Sequence, residues 1–385
     1  MHIIQIGQFP LNPDIIRGGV ESSVFGLASE QAKSHSVIVF DIPRFNSVDS
    51  IETIGELTVY RFRNKGRHQK DASSRIPEML RLIVSLQPSI CHLHGTSPFN
   101  WTLYKELRKS RIPVVVTVHG LIYIEKTKSL RKHFSLKTLY QLIVQSSAER
   151  RILNATKEVI VDTVYVEETI RQYHLSTIPH MTIIPQGIDE RFYVTTCSRD
   201  SREVLSVGAI AKRKGHLFLI QSFEKLCERM SDVHLTICGS MAETEYFSKV
   251  KEYLSSSPFR NRISLFTDVT KDVLFNLYHK AHLFALHSQE ESQGIAFAEA
   301  MATGLPVVST KVGGIPYVVS DGTTGLLSEY GDTDSFSTAL EHLLTSQNDW
   351  IEMSQECQKI AQLYSWTTIS EAVSMVYHSI LSDLL

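Results

Sequence analysis

Short apolar runs rich in Val and Ile punctuate this sequence, each separated from the next by a longer segment with helical spacing of its apolar residues. A strand covered on both faces is apolar throughout, so this rhythm predicts buried parallel strands joined by crossover helices. It occurs twice. The first series reads "HIIQIGQ" from His2, "SVIVFD" from Ser36, "TVYRFR" from Thr58, "SICHLHG" from Ser89, "VVVTVHG" from Val114, "EVIVD" from Glu158 and "MTIIP" from Met181. The second reads "EVLSVGA" from Glu203, "VHLTICGS" from Val233, "RISLFTD" from Arg262, "HLFALHS" from His282, "PVVST" from Pro306 and "TGLLS" from Thr324.

Two such series in 385 residues predict two α/β domains, since one hydrophobic core rarely organises a chain this long. The boundary is expected close to Asp189, in "IPQGIDERFYVTTCSRDS", where a strand ends at Pro185 and a polar stretch precedes Glu203. After Tyr364, Ile369, Val373, Val376, Tyr377, Ile380 and Leu384 recur at three- and four-residue spacing, predicting a final helix.

No uninterrupted apolar run reaches membrane-spanning length. "MHIIQIGQFP" lacks the basic and apolar regions of a secretory signal and reads as a first strand, so a cytoplasmic location is expected. Cys91, Cys197, Cys227, Cys238 and Cys357 are odd in number and contain no C-x-x-C pair, which argues against a disulfide framework or a zinc site. Residues 1–190 carry 23 Lys and Arg against 18 Asp and Glu, and residues 191–385 carry 16 against 23. That imbalance is too small to argue for nucleic acid. It leaves room for the basic first half to meet an anionic acceptor or the inner face of a membrane. Lys126, Lys128, Arg131, Lys132 and Lys137, interleaved with Leu130, Phe134 and Leu136, would be the contact, with an ordinary solvated face as the alternative.

Ligands of open α/β sheets bind beyond the carboxyl ends of the strands. Gly18, Gly19, His94, His119, Lys214, Gly239 and "HSQEESQG" all lie just after predicted strands, so two facing domains would gather them around one cleft. Within that set, Glu291 and Glu299 are separated by seven residues across a strand end and a helix start. Glu299 falls about two turns into the helix, while Glu291 projects from the preceding loop. Carboxylates accept hydrogen bonds from paired sugar hydroxyls, and the backbone N–H groups around Gly294, Ile295 and Ala296 suit a phosphate. A molecule carrying a sugar, a diphosphate and a ribose satisfies all of them.

"HSQEESQGIAFAEAMATGLPVVSTKVGGIPYVVSDGTTGLL" resembles the donor-site signature of the retaining GT-B glycosyltransferases of the family 4 type. The resemblance extends over nearly the whole chain: "RGGVESSVFGLASEQAKSHSVIVF" is similar to the family's first Gly-Gly loop and helix, "VVVTVHGL" to its strand ending in His, "IIPQGID" to its linker and "YSWTTI" to the start of its last helix. It implies two Rossmann-like domains with parallel sheets facing a cleft, an acceptor-side domain over 1–189, a nucleotide-sugar domain over 190–364, and a helix over 365–385 returning to the first. It implies that Glu291 binds hydroxyls of the transferred sugar, Glu299 the ribose, and Gly294 to Ala296 the diphosphate. Lys214, in "KRKGH", would neutralise the departing nucleoside diphosphate, and His119 would stand near the anomeric carbon, with Gly18 and Gly19 allowing close backbone approach. His119, Glu291 and Lys214 are thus the expected catalytic positions, and Arg213 and Gly239 join the donor-binding set.

The expected activity is transfer of a hexose-type sugar from a nucleoside-diphosphate sugar to a glycan or glycolipid acceptor in cell-envelope polysaccharide biosynthesis. No cofactor and no metal are expected. Asp332 to Asp334 resembles a metal-binding D-x-D, yet it precedes "SFSTALEHLL" and reads as a helix cap. Where the family has an arginine after the glycine of "G-R-L", this chain has Gly208-Ala209-Ile210, and Arg213 is the candidate substitute. Gln293 stands where the family carries an aromatic, and Thr267 where it carries a glycine. The rival readings are a catalytically silent binding subunit of the same fold and a sugar-nucleotide epimerase.

Overall fold

The computed structural model describes residues 1–15, 18–44, 49–64, 69–121, 136–172, 177–193 and 202–383. The chain divides into two compact units, one of Met1–Leu11, Val20–Gln186 and Trp366–Leu385, the other of Asn12–Gly19 and Gly187–Ser365. The basic stretch at 126–137 and Cys197 fall outside the residues whose side chains are described. The other four cysteines are buried free thiols.

The first unit holds strands β1 (His2–Gly7), β2 (Ser36–Arg44), β3 (Ser50–Ile54), β4 (Leu57–Arg63), β5 (Ile90–His94), β6 (Val114–Val118), β7 (Glu158–Val161) and β8 (His180–Ile183). They form one sheet in the order β3-β4-β2-β1-β5-β6-β7-β8. All neighbours run parallel except β3 and β4. Every residue of β5 and β6 is buried, as the unbroken apolar runs require. The sequence rhythm does not contain β3: its alternation of exposed and half-buried residues marks an edge strand, tied back to β4 through the Gly55–Glu56 turn. Flanking helices start where the local chemistry says they should. Ser97 caps the helix Pro98–Lys109 by accepting from Asn100 N at 3.2 Å, with Pro98 at its first position.

The helix Trp366–Ser382 belongs to this first unit. Its Ile369, Val373, Val376 and Tyr377 are buried in one cluster with Ile3, Val24, Leu27 and Ala28. Gly26 makes room for the Trp366 ring, which a side chain there would overlap.

The second unit is a sheet of β9 (Glu203–Val207), β10 (His234–Gly239), β11 (Ile263–Thr267), β12 (Leu283–Leu286), β13 (Val307–Thr310) and β14 (Gly325–Ser328), all parallel. Its order, β11-β10-β9-β12-β13-β14, is the doubly wound one, with the strand direction of travel reversing between β9 and β12. Helices cover both faces: one hydrophobic cluster includes Phe297, Ala298 and Met301, and the other includes Leu219, Phe223 and Leu226. Among the described residues no helix is long and apolar enough to cross a membrane.

Candidate active site

The reversal point of the second sheet decides which residues can meet. The chain leaves β9 through Gly208 and reaches a single turn at Lys212–Lys214; it leaves β12 through His287 and reaches Glu291. Loops leaving the two strands that flank this point diverge to opposite faces and open a crevice between them. Here the crevice is bridged. Lys214 Nζ donates to Glu291 Oε1, Ser288 Oγ donates to the same oxygen at 2.9 Å, and Arg213 Nη1 lies 3.7 Å from Oε2. The loops are also joined through the backbone, Gln289 N donating to the Arg213 carbonyl at 2.7 Å.

Glycines make this packing possible. Gly215, at φ +65°, closes the Lys212–Lys214 turn, and a Cβ on it would overlap the His287 carbonyl oxygen. The Gly239 position is equally closed, by the Gly208 carbonyl, while the stem of Lys214 runs beside Gly208. On the far side, Gly314 N donates to the Glu291 carbonyl at 2.8 Å, and Gly313 has no room for a side chain against the same peptide.

Glu291 and Lys214 are both buried. Burial pushes the Glu291 carboxyl upward, but the charges of Lys214 and Arg213 and the hydrogen bonds from Lys214 and Ser288 outweigh it and hold the group below its ordinary range. Glu291 is therefore an ionised acceptor. Its charge is exceeded by the two cations, which leaves the cluster one net positive charge. Beside it, Gly294 at φ +78° opens the helix Ile295–Ala302, whose first turn has no side-chain cap. A helix N-terminus next to surplus positive charge favours an anion with several oxygens.

Glu299 faces different partners. It accepts from the Tyr278 hydroxyl at 2.8 Å. Burial raises its pKa to about 7; the Tyr278 bond and Lys271 oppose the rise and Asp189 adds to it. Asp332 accepts from Ser335 N at 2.9 Å and caps the helix Thr333–Thr345. Gly18 is exposed with open space where a side chain would stand, and Gly19 begins the helix Gly19–Ala32. His119 lies in the first unit, after β6, 2.9 Å from His94 through Nε2.

A model of Glycosyl transferases group 1 matches residues 190–363 and one of Glycosyltransferase Family 4 matches residues 17–192. The chain belongs to the GT-B glycosyltransferases of the family 4 type. Among its relatives is a D-inositol 3-phosphate glycosyltransferase from Corynebacterium aurimucosum, 25% identical over 287 residues, 70% of this chain and 67% of that one. The aligned part spans 59% to 67% of the length of three such relatives. Sucrose-phosphate synthase from Thermosynechococcus elongatus has the same fold, with a TM-score of 0.84 at 18% identity and full coverage of both chains. Anabaena Alr3699/HepE, solved in complex with UDP-glucose, superposes with a TM-score of 0.77 at 16% identity, over 98% of this chain and 100% of that one.

In this glycosyltransferase Ala209 stands where the family carries an arginine, and Arg213 lies four residues further on. Arg213 approaches the same carboxylate as Lys214, from the neighbouring position of one turn. Gln293 is fully buried, and Thr267 ends β11 with its side chain exposed. The glycines of "KVGG", which clasp the Glu291 peptide, lie inside the quoted signature, two residues after a predicted strand, and have no role assigned from the sequence.

Proposed function

We propose that this glycosyltransferase moves a hexose-type sugar from a nucleoside-diphosphate sugar to a glycan or glycolipid acceptor of the cell envelope, with retention and without a metal. The observation that carries the reading is the cluster of Lys214, Arg213 and Glu291 beside the helix start at Gly294, at the reversal point of the second sheet. Glu291 accepts from hydroxyls of the transferred sugar, since an ionised carboxylate has more lone-pair sites than the bonds from Lys214 and Ser288 use. Lys214, Arg213 and the N–H groups from Gly294 to Ala296 take the diphosphate, and Gly239 lets the Gly208 peptide pack close beside them. Gly18 and Gly19, in the same compact unit, lie along the donor.

The chemistry is electrostatic. As the bond from the anomeric carbon to the phosphate oxygen breaks, positive charge grows on the sugar ring and negative charge on the phosphate, so preorganised ammonium, guanidinium and N–H groups lower the barrier selectively. They supply the positive charge that a divalent cation provides elsewhere. The acceptor oxygen bonds to the anomeric carbon from the face the phosphate leaves, and its proton passes to the departing phosphate. Glu291, held ionised by its cations, orients the sugar and forms no covalent bond.

Thermal unfolding against a panel of UDP-, GDP- and ADP-sugars tests the donor assignment. A ligand at about 100 times its Kd adds about 2.7 kcal/mol. Stabilisation by one nucleotide series, followed by product with the donor's anomeric configuration, is the expected result. A flat panel overturns the donor assignment, and an inverted product overturns retention.

Glu299 gives this site a pH dependence. A carboxyl with a pKa near 7 ionises as the pH rises through that value, and only the carboxylate accepts from both ribose hydroxyls. If ribose binding needs the ionised form, nucleotide affinity rises about tenfold from about pH 6 to about pH 8. Isothermal titration at several pH values checks this, and Glu299→Gln is expected to bind weakly with no pH dependence.

A further inference from the structure

The apolar run "PVVST" changes to hydroxyls at its carboxyl end, the end at which a parallel sheet meets its ligands. Ser309 and Thr310, the last residues of β13, are fully buried, where a hydroxyl needs a partner. Ser309 Oγ donates to the Leu286 carbonyl at 2.7 Å. Leu286 is its register partner and the last residue of β12, so this bond lies within the strand ladder. Thr310 reaches further. Its Oγ1 donates to the Ser288 carbonyl at 2.6 Å, beyond the end of β12.

That carbonyl belongs to the peptide joining Ser288 to Gln289, and the N–H of the same peptide donates to the Arg213 carbonyl at 2.7 Å. One peptide plane is therefore held from both sides, by β13 through its oxygen and by the Lys212–Lys214 turn through its nitrogen. Because the peptide is planar, a bond at one end fixes the direction of the other.

The side chain of Ser288 leaves from this fixed point. Fully buried, it gives its one hydrogen to Glu291 Oε1, which also accepts from Lys214 Nζ. Two donors fill the two lone-pair sites of that oxygen. Oε2 has a different neighbour: Arg213 Nη1 lies 3.7 Å away, outside hydrogen-bond distance.

We propose that Ser288 and Thr310 are positioning residues that commit Oε1 of Glu291 to the protein and turn Oε2 alone toward the transferred sugar. This rests on the assignment of Glu291 to the sugar made above. Glu291 then reads the sugar through a single oxygen, which accepts from two hydroxyls at most. Ser288 sets the rotation of the carboxylate about its last bond. Thr310 sets the peptide from which Ser288 reaches, and through the N–H of that peptide it also steadies the turn that carries Lys214.

The Glu291 carboxyl carbon resonance of glutamate-labelled protein, identified by its loss in Glu291→Gln, reads these contacts with no donor present. The bond from Ser288 is one of those that hold this carboxyl below its ordinary range. Ser288→Ala and Thr310→Val should therefore each raise its titration midpoint, while Thr310→Ser, which keeps the hydroxyl, should leave it in place. Release of nucleoside diphosphate from UDP-glucose, GDP-mannose and ADP-glucose supplies the rates. With the donor that is turned over, Ser288→Ala should lower kcat/KM by about 3- to 10-fold, chiefly through donor KM, the usual effect of one hydrogen bond. Thr310→Val should lower kcat as well, and Thr310→Ser should restore both. Ser309→Ala is the control: it loses a hydroxyl of the same strand and should lower Tm without moving the Glu291 midpoint. An unmoved midpoint in Ser288→Ala overturns the proposal. So do Thr310→Val and Thr310→Ser that behave alike in midpoint and rate, or a shift in Ser309→Ala as large as that in Thr310→Val. Full nucleotide release by Glu291→Gln removes Glu291 from the sugar and fails the underlying reading instead, while the midpoints still report whether the two hydroxyls hold the carboxylate.

Discussion

Lys214→Met is expected to cut transfer by about 10²- to 10³-fold, the usual loss when one preorganised group that stabilises developing charge is removed. Activity alone would not show why, because the ammonium also neutralises a buried carboxylate. Glu291 is 5% exposed, and its second cation, Arg213, approaches no closer than 3.7 Å. Breaking a buried pair by deleting one partner costs about 3 to 5 kcal/mol, since the remaining charge stays buried. Lys214→Met should therefore also lower the stability of the second unit at neutral pH.

The sign of the pH effect follows. In the folded chain Glu291 has a depressed pKa, so it contributes stability that is present above its unfolded value of 4.5 and is lost as the pH falls through the folded value. In Lys214→Met this acid-sensitive contribution should shrink. The double variant Lys214→Met, Glu291→Gln removes the orphaned charge and should recover most of the stability with none of the transfer. Urea unfolding across pH, set beside initial rates, separates the two roles. Full transfer by Lys214→Met would remove the ammonium from the reaction.

The doubly wound sheets were legible because thirteen of the described strands carried a short run rich in apolar residues, buried throughout in β5, β6, β12 and β13 and partly exposed in β8 and β11. β3 did not, since an edge strand obeys alternation and its residues are half polar. The two glutamates were legible as a spacing within one loop and helix. Their partners were less so: Lys214 and Glu291 are 77 residues apart, and only the strand order that places β9 beside β12 joins them. The proximity of Arg213 to Glu291 could be suggested from its place beside Lys214, but the distance required coordinates. Gln5 was the overlooked signal. A glutamine inside "HIIQIG" asks for buried partners, and these came from β5, from the helix Gly19–Ala32 and from Tyr377 far along the chain.

Gly215→Ala should damage the second unit more than its single methyl group suggests. Holding an L-residue in the left-handed region costs about 1 to 2 kcal/mol. At Gly215 the added Cβ would also overlap the His287 carbonyl oxygen, a backbone atom that no rotamer change can move. Forcing atoms into a packed site adds about 1 to 3 kcal/mol. Together these predict a fall in Tm of roughly 5 to 15 °C for a unit of this size. Relief requires the β9 and β12 loops to part, which strains the bond from Gln289 N to the Arg213 carbonyl and draws Lys214 away from Glu291. A displacement of about 1 Å near a reacting centre costs about 10²-fold, so transfer should fall even in molecules that remain folded. Gly322→Ala is the control. Gly322 has φ +77° and open space where its Cβ would stand, so it carries the backbone cost alone. Calorimetry on both variants isolates the overlap: a larger loss at Gly215 is expected, and equal losses would mean that the two loops give way freely and do not hold Lys214 in place.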